Sequence, residues 1–538
     1  MEILIVIPAR GGSKGIPRKN LRSMDGHPLI YYVINKALKS KFNADVYVTS
    51  DDEEILTHSR KFGARTIKRD SSLSQDSTTL DPVIFNAYQI AKQERKTEYD
   101  AVITMQPTSP ILKTSSLDRA IQHFINFNLD TVISASDDTH LMWGKEKHFY
   151  PLYKKRLNRQ DLPAIYKETG GFLITRSFLI SKNNRIGDKL DLFLLDSGEE
   201  VDIDSYEDWA VCEYLIKRKK IIFVVTGNKV DGLGHVNRAL LIANEIVDHE
   251  IIFVTTSDSL MAHDIVSSNN YKCIISDNLL ESILKIKPNL VINDILDTSA
   301  EYIQKLKSYN YKVINFEDLG EGAIYADMVI NALYSKKKSD PKNFFSGEEY
   351  FCLRNEFVYT KNKIIYPDVK NILVTFGGTD QNNLTKKVLQ ALEKKFNNIM
   401  INVVLGVGYE KIESIEAYKD IKNFTILSDI KNISDYIYDA DIVITASGRT
   451  VFEIASIGTP AIVIAQNNRE MMHPFANEEN GLVNLGLHSD IKDDKLINSI
   501  NKLISSKELR IKMNTKMLSL DFKKNKKKVI KMIRSLIN

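Results

Sequence analysis

The residues of this 538-residue chain that could do chemistry fall into two sets. In the first, the apolar run Ile3-Leu4-Ile5-Val6 leads into Pro8-Ala9-Arg10-Gly11-Gly12-Ser13-Lys14-Gly15-Ile16-Pro17-Arg18-Lys19-Asn20, a buried strand that breaks into a glycine-rich basic loop. Glycines let backbone N–H groups approach an anion, and Arg10, Lys14, Arg18 and Lys19 add positive charge, so the loop suits a polyphosphate. It is not a Walker loop, because the spacing before Lys14 is wrong and no Ser or Thr follows that lysine, and it is not the dinucleotide fingerprint. Far along the chain, Glu199-Glu200-Val201-Asp202-Ile203-Asp204-Ser205 reads as an extended strand with Asp202 and Asp204 on one side. Two convergent carboxylates beside a triphosphate are what a hard, oxygen-seeking Mg²⁺ needs. In the second set, Gly232-Leu233-Gly234-His235-Val236-Asn237-Arg238 opens a helix after a buried strand at 221–225. A glycine loop at a helix N-terminus favours an anion, and the imidazole of His235 is a candidate base.

The elements that must carry these residues alternate between strand and helix from the start. A strand at 3–7, a helical pattern at 29–39 and a strand at 45–49 set the rhythm of an α/β sheet with crossover helices. Ligands in such sheets sit beyond the carboxyl ends of the strands, where Ser50-Asp51-Asp52 lies; capping of the next helix is the competing role for these acids. Arg69-Asp70 and the hydroxyl-rich Ser77-Thr78-Thr79 precede an apolar helix around 83–91. The strand 101–105 ends in Gln106-Pro107-Thr108-Ser109-Pro110, whose prolines stiffen the turn and hold Gln106 and Ser109 at the strand's mouth. After a strand at 132–135, residues 137–170 become polar and aromatic, and an amphipathic helix is expected from 206 to about 217.

Composition adds bounds. A hydrophobic fraction of 43%, a charged fraction of 26% and a net charge of +4 describe an ordinary globular chain and give no reason to expect nucleic acid as a partner. Cys212, Cys273 and Cys352 show no metal-ligand spacing and cannot all pair with one another, so a reduced, cytoplasmic setting is expected. The short apolar N-terminus runs straight into the basic loop instead of resembling a signal peptide, and no apolar run reaches the ~20 residues that a bilayer span requires. The basic run ahead of residue 221 marks a domain start, and the lysine-rich tail reads as the solvated face of a terminal helix, with Val529, Met532 and Ile533 at helical spacing.

The string Pro-Ala-Arg-Gly-Gly-Ser-Lys-Gly-Ile-Pro-Arg-Lys-Asn closely resembles the nucleotide loop of the sialic-acid-type (N-acylneuraminate) cytidylyltransferases, which make CMP-activated nine-carbon acids. The resemblance implies a Rossmann-like nucleotidyltransferase domain that binds CTP through Arg10, Gly12, Ser13, Lys14, Lys19, Asn20, Arg69 and Thr79. It also implies metal ligation by Asp202 and Asp204 and an acceptor site built from Gln106, Ser109, Arg159, Gln160 and Lys167. Arg10 and Lys19, with Mg²⁺, would stabilise charge as a sugar hydroxyl attacks the α-phosphate and pyrophosphate leaves. The acceptor would be a nonulosonic acid, whose carboxylate Arg159 or Lys167 could meet. In the family, the excursion at 137–170 reaches a second subunit, so a homodimer is implied. Lys167 and Thr169 depart from the Arg and Asn typical of bacterial sialic-acid enzymes, which leaves the acceptor's substituents open.

Gly-Leu-Gly-His-Val-Asn-Arg in turn resembles the UDP-sugar hydrolases of pseudaminic acid synthesis and their spore-coat-polysaccharide relatives, built like two-lobed GT-B glycosyltransferases. Asn293-Asp294 and Glu317-Asp318, each at a strand end, agree with that family. So do Gly377-Gly378-Thr379-Asp380 after the strand 371–376 and Ala446-Ser447-Gly448-Arg449-Thr450-Val451-Phe452-Glu453 after 442–445. The resemblance implies a UDP cradle at Gly377, Gly378, Ser447, Gly448 and Thr450, with Glu453 on the ribose and Gln466 facing the cleft.

The expected organisation is therefore α/β throughout: a cytidylyltransferase at 1–220, a GT-B-like first lobe at 221–365 and a UDP-binding second lobe at 366–538. In the second half, His235 would activate water against a UDP-sugar; glycosyl transfer, or a silent nucleotide-binding module, would use the same cradle.

Overall fold

The computed structural model describes every residue except Lys14, Asp76, Val230, Asp231, Lys394, Asp429 and Asn538, so the expected phosphate contact of Lys14 lies outside the described residues. The chain divides into two compact units, Met1–Arg218 and Lys219–Asn538. No helix among the described residues is long and apolar enough to cross a membrane, and the cysteines are free thiols.

The first unit is built on one sheet, in the spatial order Leu190–Leu194, Thr131–Asp137, Tyr166–Arg176, Ala101–Thr104, Ile3–Pro8, Ala44–Ser50, Arg65–Lys68. Only Tyr166–Arg176 runs antiparallel to its neighbours. Alternation along the first strand serves two faces: Ile3, Ile5 and Ile7 join one core, Leu4 and Val6 the other. Such double burial explains why the strand reads as a continuous apolar run. Two expectations are corrected here. Glu199–Ser205 forms no strand; it passes outside the sheet, tied to it by the Ile203 N–H on the Thr108 carbonyl. The polar excursion is shorter than expected, because 166–170 already belongs to the antiparallel strand, whose pairing shifts register between Glu168 and Leu173, around Gly170-Gly171.

The second unit carries two parallel sheets. One, in the order Cys273–Ile275, Glu250–Thr255, Lys220–Val225, Leu290–Asp294, Lys312–Phe316, Met328–Asn331, Phe344–Ser346, forms the first lobe. The other, in the order Phe424–Ser428, Met400–Leu405, Asn371–Thr375, Ile442–Ala446, Ala461–Ala465, Val483–Leu487, forms the second. Packing does not follow a single cut at 366: Phe351, Leu353 and Phe357 belong to the second lobe's core. The final helix Asn525–Ile537 returns to bury Val529 and Ile533 against Ile221 and Val236 of the first. Lys523, Lys524, Lys527 and Lys528 of the lysine-rich tail face solvent as expected of an amphipathic helix, while Lys526 is buried and paired with Glu245.

Candidate active sites

In the first unit, the basic loop begins where the Ala9 N–H bonds the Thr49 carbonyl at 3.0 Å, at the carboxyl edge of the sheet. The Gly11 N–H donates to Asp51 Oδ1 at 3.1 Å, and a Cβ on Gly11 would stand 2.8 Å from Asp52 Oδ2, so only glycine lets the loop lie this close. Asp52 itself caps the helix Glu53–Lys61 through the N–H groups of Glu54 and Ile55, while Arg18 Nη1 donates to its second oxygen at 2.7 Å. The acids after the second strand therefore anchor the loop and cap a helix. Asn20 braces the loop by donating to the Arg10 carbonyl at 3.0 Å. Arg69 is buried, donates to Ser74 Oγ at 2.9 Å and lies 3.6 Å from Asp51. Burial lowers its pKa, Asp51 opposes, and the like charge of Arg10 adds to the lowering, so two cations converge at this edge. Beside Gly12 the space is open.

The segment carrying the two aspartates is locked to this loop. A Cβ on Gly15 would fall 2.3 Å from the Asp204 carbonyl oxygen, and Lys19 Nζ donates to the Ile203 carbonyl at 2.5 Å and stands 3.5 Å from Asp204 Oδ1. Asp202 turns the other way, toward Gly170 and the proline turn: a Cβ on Gly170 would meet Asp202 Oδ1 at 2.9 Å and Ser109 Oγ at 3.0 Å. Both of those oxygens are buried with no hydrogen-bond partner among the described residues. Buried polar atoms are rarely left so unless something absent completes them. Asp204 leaves 83% of its side chain exposed. Among the described residues no cluster of three or more His, Cys, Asp or Glu could hold a metal. Asp204 lies open while one oxygen of Asp202 is buried, so the pair offers Mg²⁺ two carboxylates at most, and its all-oxygen coordination would be completed by phosphate and not by a protein cage.

The remaining candidates are held less closely. Thr79 is the exposed N-cap of Leu80–Arg95, yet its hydroxyl caps nothing. The Gln106 N–H bonds the Gly170 carbonyl at 3.2 Å. Arg159 and Gln160 sit on an exposed turn, Arg159–Asp161. Lys167 is exposed, and its charge contributes to the lowered pKa of Asp208, which is held down chiefly by the Ser205 hydroxyl. Sequence reasoning missed Arg185, which donates to Asp81 Oδ1 at 2.5 Å and to Thr104 Oγ1 at 3.0 Å, because it lies in an irregular stretch with no pattern.

In the second unit, a cleft of about 840 Å³ is lined by both glycine loops. His235, in the first turn of Gly234–Ala243, bonds Asp294 Oδ1 through Nδ1 at 2.7 Å. Arg238, one turn on, grips both oxygens of Asp294 at 2.8 and 2.5 Å and reaches Glu317 Oε1 at 2.9 Å. Burial pushes the Asp294 carboxyl up, but the Arg238 charge and the His235 bond win and hold it below the ordinary range. Burial raises Glu317 despite Arg238. With Asp294 ionised, the imidazole donates from Nδ1, which leaves Nε2 as the nitrogen placed for proton transfer. The His235–Arg238 spacing of three residues on one helix is the signal that could have flagged Arg238.

Across the cleft, Gly377 (φ 77°) and Gly378 pack against Gly406 and Gly408; the Gly408 N–H bonds the Gly378 carbonyl at 2.9 Å. Ser447 lends its N–H to Glu470 at 3.2 Å and its carbonyl to His473 at 2.7 Å, while its Oγ is buried and unpartnered. Gly448, Arg449 and Thr450 line the cleft where the helix Thr450–Ile457 begins. Glu453, expected to be free for a ribose, has both oxygens held by Arg354 at 2.7 and 3.0 Å, leaving it acceptor positions but not independence. Gln466, expected to face the cleft, lines it but spends its amide on the Phe376 carbonyl at 3.0 Å. Arg354, Glu470 and His473 went unread because their partners lie tens of residues away or follow a strand without a motif.

Comparison with known proteins now bears on both sites. A cytidylyltransferase family model matches residues 4–198, and the glycosyltransferase family 28 C-terminal domain matches residues 371–533. A pseudaminic acid cytidylyltransferase of Campylobacter jejuni is 32% identical over 232 residues, 40% of this chain and 97% of that protein. A Helicobacter pylori protein described as pseudaminic acid cytidylyltransferase and UDP-2,4-diacetamido-2,4,6-trideoxy-beta-L-altropyranose hydrolase is 23% identical over 507 residues, 90% of this chain and 92% of that one. An uncharacterized protein of Methanocaldococcus jannaschii is 35% identical over 271 residues, 46% of this chain; the match spans 56% of that protein's length. The chain belongs to the cytidylyltransferase family, and its second unit carries a glycosyltransferase family 28 C-terminal domain.

Proposed function

We propose that the first unit transfers the cytidylyl group of CTP to a nonulosonic acid of the pseudaminic or legionaminic type, and that the second cleaves a UDP-sugar with water. The observation that carries the first reading is the unpartnered, buried Asp202 Oδ1 beside Ser109 and Gly170, across from a loop rich in cations. Arg10 and Arg69 bind and orient the triphosphate, Lys19 fixes the Ile203–Asp204 backbone beside it, and Thr79 offers its free hydroxyl to the nucleoside. A hydroxyl of the acid forms a bond to the α-phosphorus, the bond to the pyrophosphate oxygen breaks, and the hydroxyl proton is lost to solvent. Gln106, Ser109 and Lys167 orient the acid, with Arg159 and Gln160 closing from the exposed turn. Asp202 and Asp204 would hold Mg²⁺, which supplies charge neutralisation on the phosphates when bound.

In the second unit, His235 Nε2 takes a proton from the attacking water while Asp294 steadies the imidazolium. The water oxygen bonds the anomeric carbon, and UDP departs with the glycosidic oxygen. Gly377, Gly378, Ser447, Gly448 and Thr450 cradle the nucleotide, with Glu453 toward the ribose. The Helicobacter pylori relative, matched over 90% of this chain, supports pairing the two activities. Exposed Trp143, Phe149, Tyr150 and Leu152 on the first unit's excursion support a homodimer through that surface. Free thiols and nucleotide substrates support a cytoplasmic setting.

Incubation with CTP, Mg²⁺ and a panel of nonulosonic acids, following pyrophosphate, tests the first half; absence of pyrophosphate with every acid refutes it. Incubation with UDP-2,4-diacetamido hexoses and no acceptor, following UDP, tests the second. UDP release that His235→Gln abolishes supports hydrolysis; release only when an acceptor sugar is added shifts the reading to transfer.

A further inference from the structure

The proline turn of the first unit presents Ser109 with nothing to hold its hydroxyl, since Oγ is buried with no hydrogen-bond partner among the described residues. The turn also has few bonds of its own to make: Pro107 and Pro110 carry no N–H, which leaves the carbonyls to fix the backbone. Both carbonyls that flank Ser109 are held from outside. The Thr108 carbonyl accepts the Ile203 N–H at 2.9 Å, and the Pro110 carbonyl accepts from the ammonium of Lys36, on the helix Leu29–Leu38. Burial lowers the pKa of Lys36 to about 8, with Glu199 and Cys212 opposing, so the group remains cationic at neutral pH. Glu199 is itself buried and ties down the stretch that follows the turn. It accepts the Lys113 N–H and the Ser116 hydroxyl, each at 3.1 Å, and so caps the helix Thr114–Asn126, which has no side-chain cap of its own. The Thr114 hydroxyl closes the circuit on the Lys36 carbonyl at 3.3 Å. Lys36 thus stands where a helix, the proline turn and the segment leading to Asp202 are joined.

We propose that Lys36 is a positioning residue for the acceptor: it anchors the carbonyl after Ser109 and thereby aims the idle Ser109 hydroxyl at the nonulosonic acid. The proposal rests on the cytidylyl-transfer reading of the first unit. Lys36 touches no substrate in this scheme. An apolar side chain in its place leaves the carbonyl of the buried Pro110 without its donor, and the turn, with no proline N–H groups to fall back on, loses the bond that keeps Ser109 beside Gly170 and Asp202.

Steady-state kinetics of the full chain, following pyrophosphate with the nonulosonic acid that wild type turns over fastest, test this. Lys36→Met should raise KM for the acid ~10-fold, the scale of one lost charge-assisted hydrogen bond, while KM for CTP changes less than about twofold. Lys36→Arg should recover part of that loss, because it keeps a cation beside the carbonyl. Ser109→Ala should raise the same KM, and adding Lys36→Met to it should then change little, because a residue that acts through Ser109 has nothing left to aim. A residue that merely supports the fold would instead weaken both substrates alike and add to Ser109→Ala. Lys36→Gln carries the comparison if Lys36→Met does not fold. Equal shifts in the two KM values, full additivity, or an unchanged KM in Ser109→Ala overturns the role of Lys36 and leaves cytidylyl transfer standing. A wild type that releases no pyrophosphate with any acid overturns both.

Discussion

The two sites solve the problem of charge in opposite ways. In the second unit most of the charge is already neutralised and buried: His235, Arg238, Asp294 and Glu317 form one closed network. In the first unit the charge is left open, with Asp202 Oδ1 and Ser109 Oγ unpartnered and Asp204 largely in solvent. The contrast fits the reactions proposed. A site for a triphosphate must leave room for strong charges that arrive with the substrate, and contacts made in advance would have to be broken. A site that orients an imidazole as a base needs its carboxylate ionised and fixed before substrate binds, which the Arg238 clamp achieves.

The contrast can be broken by deleting one group from each side. Arg238→Met should have the largest effect: it leaves the buried Asp294 and Glu317 without their cation and should cost the second unit about 3–5 kcal/mol, seen as a lowered melting transition. If stability is unchanged, the network is not the closed device described. Asp202→Asn should leave melting nearly untouched yet slow pyrophosphate release ~10²–10³-fold, comparable to removing one preorganised electrostatic contact, with UDP release unaffected. A fall in stability matching that of Arg238→Met would erase the distinction between the sites. Gly15→Ala should be intermediate, because its methyl meets the backbone carbonyl of Asp204; about 1–3 kcal/mol of strain is expected, together with a raised KM for CTP.

The smallest effect is a pH dependence. Burial lowers the pKa of His473 below its ordinary 6.5, so the unfolded chain takes up a proton that the native chain resists. Its contribution to stability is complete above about pH 6.5 and is lost as the pH falls toward the depressed native value, at no more than ~1.4 kcal/mol per pH unit for one proton. His473→Gln should flatten that slope in urea titrations between pH 7 and 5.5. Glu317 and Glu470, both raised by burial, act with the opposite sign: their contributions are present below about pH 4.5 and are lost as the pH rises through their raised values. A steeper slope in the variant would contradict the assignment.

Much of the fold was legible locally. The first strand of the first unit and the opening strands of both lobes announced themselves as apolar runs, and the loop that follows each carries its own glycines. The helix at 206–217 was readable from its amphipathic pattern, and the Ser205–Asp208 capping box confirms its start. Asp202 stood out as a candidate, but its setting did not: the alternation around it imitates a strand, while the chain there leaves the sheet. The strand Tyr166–Arg176 was obscured because its exposed start and Gly170-Gly171 lack the apolar signature of its buried end.

Residue order alone thus determined the two glycine loops, the alternating α/β architecture and the candidate base, since each depends on neighbours within a turn of helix or a few residues of strand. Tertiary structure decided which charges meet. Arg354 finds Glu453 across 99 residues, Lys19 finds Asp204 across 185, and the Nη1 of Arg449 finds no hydrogen-bond partner among the described residues. Whether a cation is spent or left waiting for a ligand depends on the low-dielectric contacts that chain crossing creates, and no spacing along the sequence encodes that.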